Sequence, residues 1–135
     1  MIDRSKDRIK QTGEVFTPLE LVDEILDKLP QELFQDPTKT FLDPACGDGN
    51  FLVRVVQRKI DNGCTPTEAL KTTFGVDIMD DNIRECKRRL LEIAGESTQH
   101  RKIIDHNIVC ADSLNDWDFD KWERKSTPID DLLTF

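Results

Sequence analysis

The chain has 135 residues, 37% apolar and 34% charged, with a net charge of −8. That is enough for one domain with a core, and no apolar run approaches the roughly 18–20 residues needed to cross a membrane. Negative charge argues against this stretch gripping a phosphate backbone by itself, because that affinity comes from Lys and Arg displacing counterions.

From Thr17 to Pro30 the apolar residues Leu21, Val22, Ile25, Leu26 and Leu29 form the stripe of an amphipathic helix. Thr17 as N-cap, Pro18 at the first helical position and Glu20 closing a capping box mark its start, and Pro30 limits its end. After a loop over Gln31–Lys39, Thr40-Phe41-Leu42 reads as a buried strand running into Asp43-Pro44-Ala45-Cys46-Gly47-Asp48-Gly49-Asn50. A helix with Leu52, Val55, Val56 and Ile60 on one face follows and stops at Asn62-Gly63. Thr65-Pro66-Thr67-Glu68 is a second capping box, opening a short helix. Thr73–Asp77 is a second strand, and Ile83, Cys86, Leu90 and Ala94 line the helix after it. The polar stretch Gly95–Lys102 is expected as a surface loop, and His106–Asp112 as a third strand. The tail from Ser113 is acidic and aromatic.

The basic clusters Arg54/Arg58/Lys59, Lys87/Arg88/Arg89 and Arg101/Lys102 read as solvated surface on helix faces or a loop. Four widely spaced cysteines form no C-x-x-C pair, and the two histidines have no partner at metal-ligand spacing, so reduced structural thiols and no metal are expected. Met1–Gln11 is almost wholly polar, with no apolar h-region, and the chain is read as cytoplasmic.

Strands alternating with helices long enough for crossovers predict an α/β fold, a parallel sheet flanked by helices. Its ligand belongs outside the carboxyl ends of the strands, and the three expected strands end in Asp43, Asp77 and Asp112. Glycines in the first β–α turn let backbone approach a ligand closely. No Gly-Lys-Ser/Thr follows, against a P-loop, and Asp48 would repel a pyrophosphate. A ligand carrying a sulfonium and an ammonium suits such an acidic turn. Asp43 is placed to meet that charge, Asp77 to accept from two ribose hydroxyls, Ile78 to pack on an adenine face, and Asp112 to accept from an exocyclic amine.

Phe41-Leu42-Asp43-Pro44-Ala45-Cys46-Gly47-Asp48-Gly49-Asn50-Phe51-Leu52 closely resembles the cofactor motif of N6-adenine DNA methyltransferases, with Asp48 where that family usually has serine. Gly13-Glu14-Val15-Phe16-Thr17-Pro18 resembles the family's N-terminal cofactor motif. Gly75-Val76-Asp77-Ile78 resembles its ribose-binding strand end, and Ala111-Asp112-Ser113-Leu114 the segment that holds the cofactor adenine. The resemblance covers roughly residues 11–114. It implies a Rossmann-like S-adenosylmethionine-dependent fold, truncated, with Phe16, Thr17, Asp43, Ala45, Gly47, Asp77, Ile78 and Asp112 as cofactor contacts. It divides the chain into an N-terminal helical segment (1–39), a cofactor-binding core (40–114) and a tail (115–135).

The family's catalytic tetrapeptide, Asn/Asp/Ser-Pro-Pro-aromatic, does not occur, so no catalytic residue is assigned. Either Asp131–Phe135 is a fourth strand and the chain ends where the tetrapeptide should begin, or Ser126-Thr127-Pro128-Ile129 is a decayed form of it. The implied function is the S-adenosylmethionine-binding part of an adenine-specific DNA methyltransferase. DNA would be reached through a missing domain or second chain, and a second polypeptide or self-association would complete the sheet. The alternatives are a catalytically silent cofactor-binding or regulatory module, and a methyltransferase of RNA, protein or a small molecule.

Overall fold

The computed structural model describes residues 16–125. The expected fourth strand at 131–135, the segment 126–129 and the part of the N-terminal motif before Phe16 lie outside the described residues.

The elements run α1 (Leu19–Asp27), α2 (Glu32–Gln35), β1 (Phe41–Asp43), α3 (Asn50–Asp61), α4 (Pro66–Lys71), β2 (Thr73–Asp77), α5 (Asp80–Ala94), α6 (Thr98–Asn107), β3 (Ile108–Cys110) and a small hairpin, β4 (Trp117–Asp118) with β5 (Glu123–Arg124). The three main strands form a parallel sheet in the order β1-β2-β3, with Asp43 opposite Gly75 and Asp77 opposite Cys110. Parallel neighbours require a crossover. Here α3 and α4 make the first and α5 and α6 the second.

One face of the sheet is buried under these helices. Leu52, Val53 and Val56 of α3, Ala69 and Leu70 of α4, Ile83, Cys86 and Leu90 of α5 and Ile104 of α6 pack as one cluster. Gly75 makes that contact possible by its missing side chain, since a Cβ there would lie 2.5 Å from Leu52 Cδ1. On the opposite face Val76, Val109 and Ala111 are covered by Trp117 and Trp122 of the hairpin segment. Trp122 meets both Phe74 and Trp117 edge-on, at centroid distances of 5.0 and 5.1 Å, an arrangement favoured by the ring quadrupoles. The hairpin is tied down by Trp122 Nε1 donating to the His106 carbonyl (2.8 Å).

The helix α1 buries Val22 and Leu26 against Phe34 and Val55. Of the stripe expected there, Leu21 and Ile25 stay exposed. Ile25 lines, with Leu29, Leu42 and Phe51, an apolar groove of about 280 Å³ along β1. Leu42 itself is 48% exposed, high for a leucine in a parallel strand.

The structure departs from several expectations. The capping box at Thr17–Glu20 is not formed: α1 begins at Leu19, with Pro18 extended at the boundary and no side-chain cap bond. The carbonyl of Thr17 instead accepts from Asn50 Nδ2 (2.7 Å), which pulls it toward the β1–α3 turn. Residues 98–107 form α6, where a loop to Lys102 and a strand from His106 were expected. Ser97 caps it by accepting from the His100 N–H (3.0 Å), and buried Asn107 donates to the Leu70 carbonyl (3.0 Å). The strand β3 is therefore short, and Asp112 falls two residues beyond its end. There its Oδ1 accepts from the Leu114 and Asn115 N–H groups, bending the chain out of the ladder.

The box at Thr65–Glu68 does form: Thr65 Oγ1 accepts from the Glu68 N–H (3.1 Å), and Glu68 Oε1 accepts from the Thr65 N–H (2.8 Å). Lys59, expected on a solvated face, is fully buried. Its ammonium donates to the Lys39 carbonyl and to Thr72 Oγ1, and lies 5.3 Å from the Phe41 ring centre. Burial lowers its pKa from the ordinary lysine value. No helix among the described residues is long and apolar enough to cross a membrane.

Candidate functional site

The carboxyl ends of β1 and β2 and the turn leading into α3 form the site. The turn is built by short-range bonds: the Ala45 N–H donates to Asp43 Oδ1 (3.1 Å) and the Gly49 N–H to the Cys46 carbonyl (3.0 Å). Gly47 and Gly49 both take the left-handed backbone region, at φ +55° and +96°, which glycine enters without steric cost. Gly49 then serves as the boundary residue of α3, its carbonyl accepting from the Val53 N–H.

Asp77 stitches this turn to the end of β2. Its Oδ1 accepts from the Gly47 N–H (3.2 Å), while Oδ2 accepts from the Met79 N–H (3.0 Å) and from Asn82 Nδ2 (3.1 Å). A carboxylate has about four acceptor sites, so Asp77 keeps capacity for one more donor. Asp43 is half-buried, and burial, reinforced by the like charge of Asp77 and opposed by the Ala45 N–H, raises its pKa. Asp112 is the opposite case: the side-chain amide of Asn115 and the Leu114 N–H lower its pKa.

A pocket of about 250 Å³ is bounded by Phe16, Thr17, Asp43, Ala45, Gly47 and Asp48 among others. Five of the eight residues expected to contact a cofactor thus line one cavity. Asp77 and Ile78 continue the site beyond it. Asp77 is joined to Gly47 by its hydrogen bond, and Ile78 is 64% exposed, an uncovered aliphatic side chain beside a strand-end carboxylate. Asp112 is the eighth. It lies beyond β3, whose connection to β2 continues through the Ala111 N–H donating to the Asp77 carbonyl (3.0 Å). All three of its carboxylate bonds are to Leu114 and Asn115.

Two residues of the site were not singled out beforehand. Asn50, the first residue of α3, donates from Nδ2 to the Thr17 carbonyl and accepts through Oδ1 from Arg89. Arg89, expected on a solvated face, reaches back from α5 to donate to Asn50 Oδ1 (2.8 Å) and to the Asp48 carbonyl (3.0 Å). It also stands 3.5 Å from Asp48 Oδ1. The acidity read into the turn from Asp48 is therefore partly offset by a guanidinium. No local sequence signal links Arg89 to a turn some forty positions earlier.

The pocket is slightly smaller than the roughly 300 Å³ at which small-molecule sites usually begin. Among the described residues no group of three or more His, Cys, Asp or Glu side chains could hold a metal ion.

Comparison with known proteins bears on the family of the chain. The sequence model of the family described as "N-6 DNA Methylase" matches residues 2–129. The Type II methyltransferase M.VspI of Vibrio sp. (strain 343) is 34% identical over 83 residues, which are 62% of this chain and 18% of that protein. The chain thus spans less than a fifth of that relative's length. No solved structure matches. Matched by the family over nearly its whole length, the chain belongs to the N-6 DNA methylase family.

Proposed function

We propose that the chain is the S-adenosylmethionine-binding part of an adenine-specific DNA methyltransferase with a Rossmann-like fold. The observation carrying this reading is the meeting of Phe16, Thr17, Asp43, Ala45 and Gly47 around one pocket at the strand ends, with Asp77 and Ile78 next to it. In this reading the pocket takes the methionine end, with Asp43 balancing the positive charge. Its raised pKa fits a carboxylate that gains from a cationic neighbour. Asp77 uses its remaining acceptor capacity on a ribose hydroxyl, Ile78 covers one face of the adenine, and Asp112 accepts from the exocyclic amine at the far end.

When bound, this cofactor supplies an electrophilic methyl group. The work of these residues is to orient it, and methyl transfer depends chiefly on such alignment. DNA is the proposed substrate, reached through further polypeptide. That additional chain, or a second copy, would also lie along β1, where no described residue covers Leu42 and the groove beside it.

Titration calorimetry of the full chain with S-adenosylmethionine tests the reading. Saturable binding is expected, and no heat of binding at millimolar cofactor would sink it.

A further inference from the structure

Arg89 belongs to no motif that the family resemblance contains, yet its side chain reaches the turn from outside and joins two of its residues. A single guanidinium nitrogen donates to the Asp48 carbonyl and to Asn50 Oδ1. The same amide side chain of Asn50 donates onward to the Thr17 carbonyl. Three segments distant in sequence, 16–17, 48–50 and the third turn of α5, are thereby coupled through two side chains. The same Arg89 nitrogen stands 3.5 Å from Asp48 Oδ1, a buried oxygen with no hydrogen-bond partner among the described residues. Removing the guanidinium would leave that oxygen without the countercharge beside it, a cost for a partly buried carboxylate.

We infer that Arg89 is a positioning residue for the cofactor. It holds the turn 47–50 in shape and, relayed by Asn50, holds Phe16 and Thr17 over the pocket. Asp48, where the family pattern has serine, is its electrostatic partner. The arrangement explains why an acid is accepted in the turn: Arg89 offsets its charge, leaving Asp43 as the carboxylate free to face a cationic ligand. The inference rests on the cofactor reading given above. The role is specific to Arg89, because neighbouring Arg88 pairs instead with Glu85 and Glu92 on the exposed side of α5.

The test uses the full 135-residue chain, with S-adenosylmethionine affinity by calorimetry and amide exchange of the cofactor-free protein. Arg89→Met should weaken binding by about tenfold or more, the equivalent of one charge-assisted hydrogen bond, while Arg88→Met leaves it unchanged. Arg89→Lys should recover part of the loss, since an ammonium supplies the charge and donors but on a shorter side chain without the planar guanidinium. Combining Arg89→Met with Asp48→Ser should cost less than Arg89→Met alone, because the unpaired carboxylate is then gone. In Arg89→Met, exchange should accelerate at 47–50 and leave the protected amides of α3 and β2 unchanged.

A folded Arg89→Met chain with wild-type affinity would overturn the inference, as would an exchange increase spread evenly over the domain. Should Arg89→Met not fold, Asn50→Ala cuts the relay while keeping the Arg89–Asp48 pair. Wild-type affinity there would equally overturn it. Failure of the wild-type chain to bind would instead defeat the cofactor reading, and local exchange at 47–50 would still decide whether Arg89 holds the turn.

Discussion

At the scale of single residues, Asp43 and Ile78 separate binding from stability. Burial raises the pKa of Asp43 in the folded chain, so between the unfolded and folded values the native state holds the extra proton. Stability therefore falls as pH rises through that window, and above it the chain carries the cost of a desolvated charge. Asp43→Asn keeps an oxygen for the Ala45 N–H while removing the charge. Its melting temperature at pH 7 should exceed that of the wild type, the two curves converging as pH falls toward 4. Its affinity for S-adenosylmethionine should drop, and a melting series with and without cofactor checks both outcomes. Ile78 is so exposed that Ile78→Ser should leave the melting temperature unchanged. Cofactor affinity should nonetheless fall by about tenfold, the value of an aliphatic face of roughly 1–2 kcal/mol.

At the scale of elements, β1, β2 and the helices α1, α3 and α5 could be read directly, whereas β3 was read too long and α6 and the hairpin strands were not read at all. Ile83, Cys86, Leu90 and Ala94 all face the core of α5, as their spacing requires. Thr98–Asn107 has no such stripe, since only Ile104 and Asn107 are buried and Ile103 is the one other apolar residue in the run. Its one local mark, Ser97 three residues before His100, is weak by itself. Ser97→Ala should cost about 1 kcal/mol by urea denaturation, the usual worth of an N-cap. The same distinction explains the site. Asp43, Gly47 and Asp77 sit at strand ends or inside a glycine turn, where sequence order predicts position. Arg89 and Asn50 act through contacts that only the packing of α5 against α3 creates. Gly75 belongs to this scale too: Gly75→Ala forces Leu52 or Cys46 to move and should cost about 1–3 kcal/mol.

For the molecule as a whole, the sheet is asymmetric among the described residues. Its β3 side is wrapped by α6 and the aromatic hairpin, while its β1 side presents Leu42 and an apolar groove. Such an edge invites pairing with another strand. The 135-residue chain should therefore associate with rising concentration in light scattering. Leu42→Lys should suppress the association, and added salt should not, because the contact is apolar. A well-behaved monomer at high concentration would count against it.

Lys59 gives the opposite end of the sheet a clock. Its amine bridges Lys39 and Thr72, the residues just before β1 and β2, in a spot closed to solvent. Because its pKa is depressed, the folded chain sheds this proton before the unfolded chain does, and stability gains as pH climbs from the depressed toward the ordinary lysine value. An amine so enclosed reacts with an acylating reagent only when the strand starts separate. The rate at which Lys59 is modified, set against the exposed lysines, would time that opening from within the native protein.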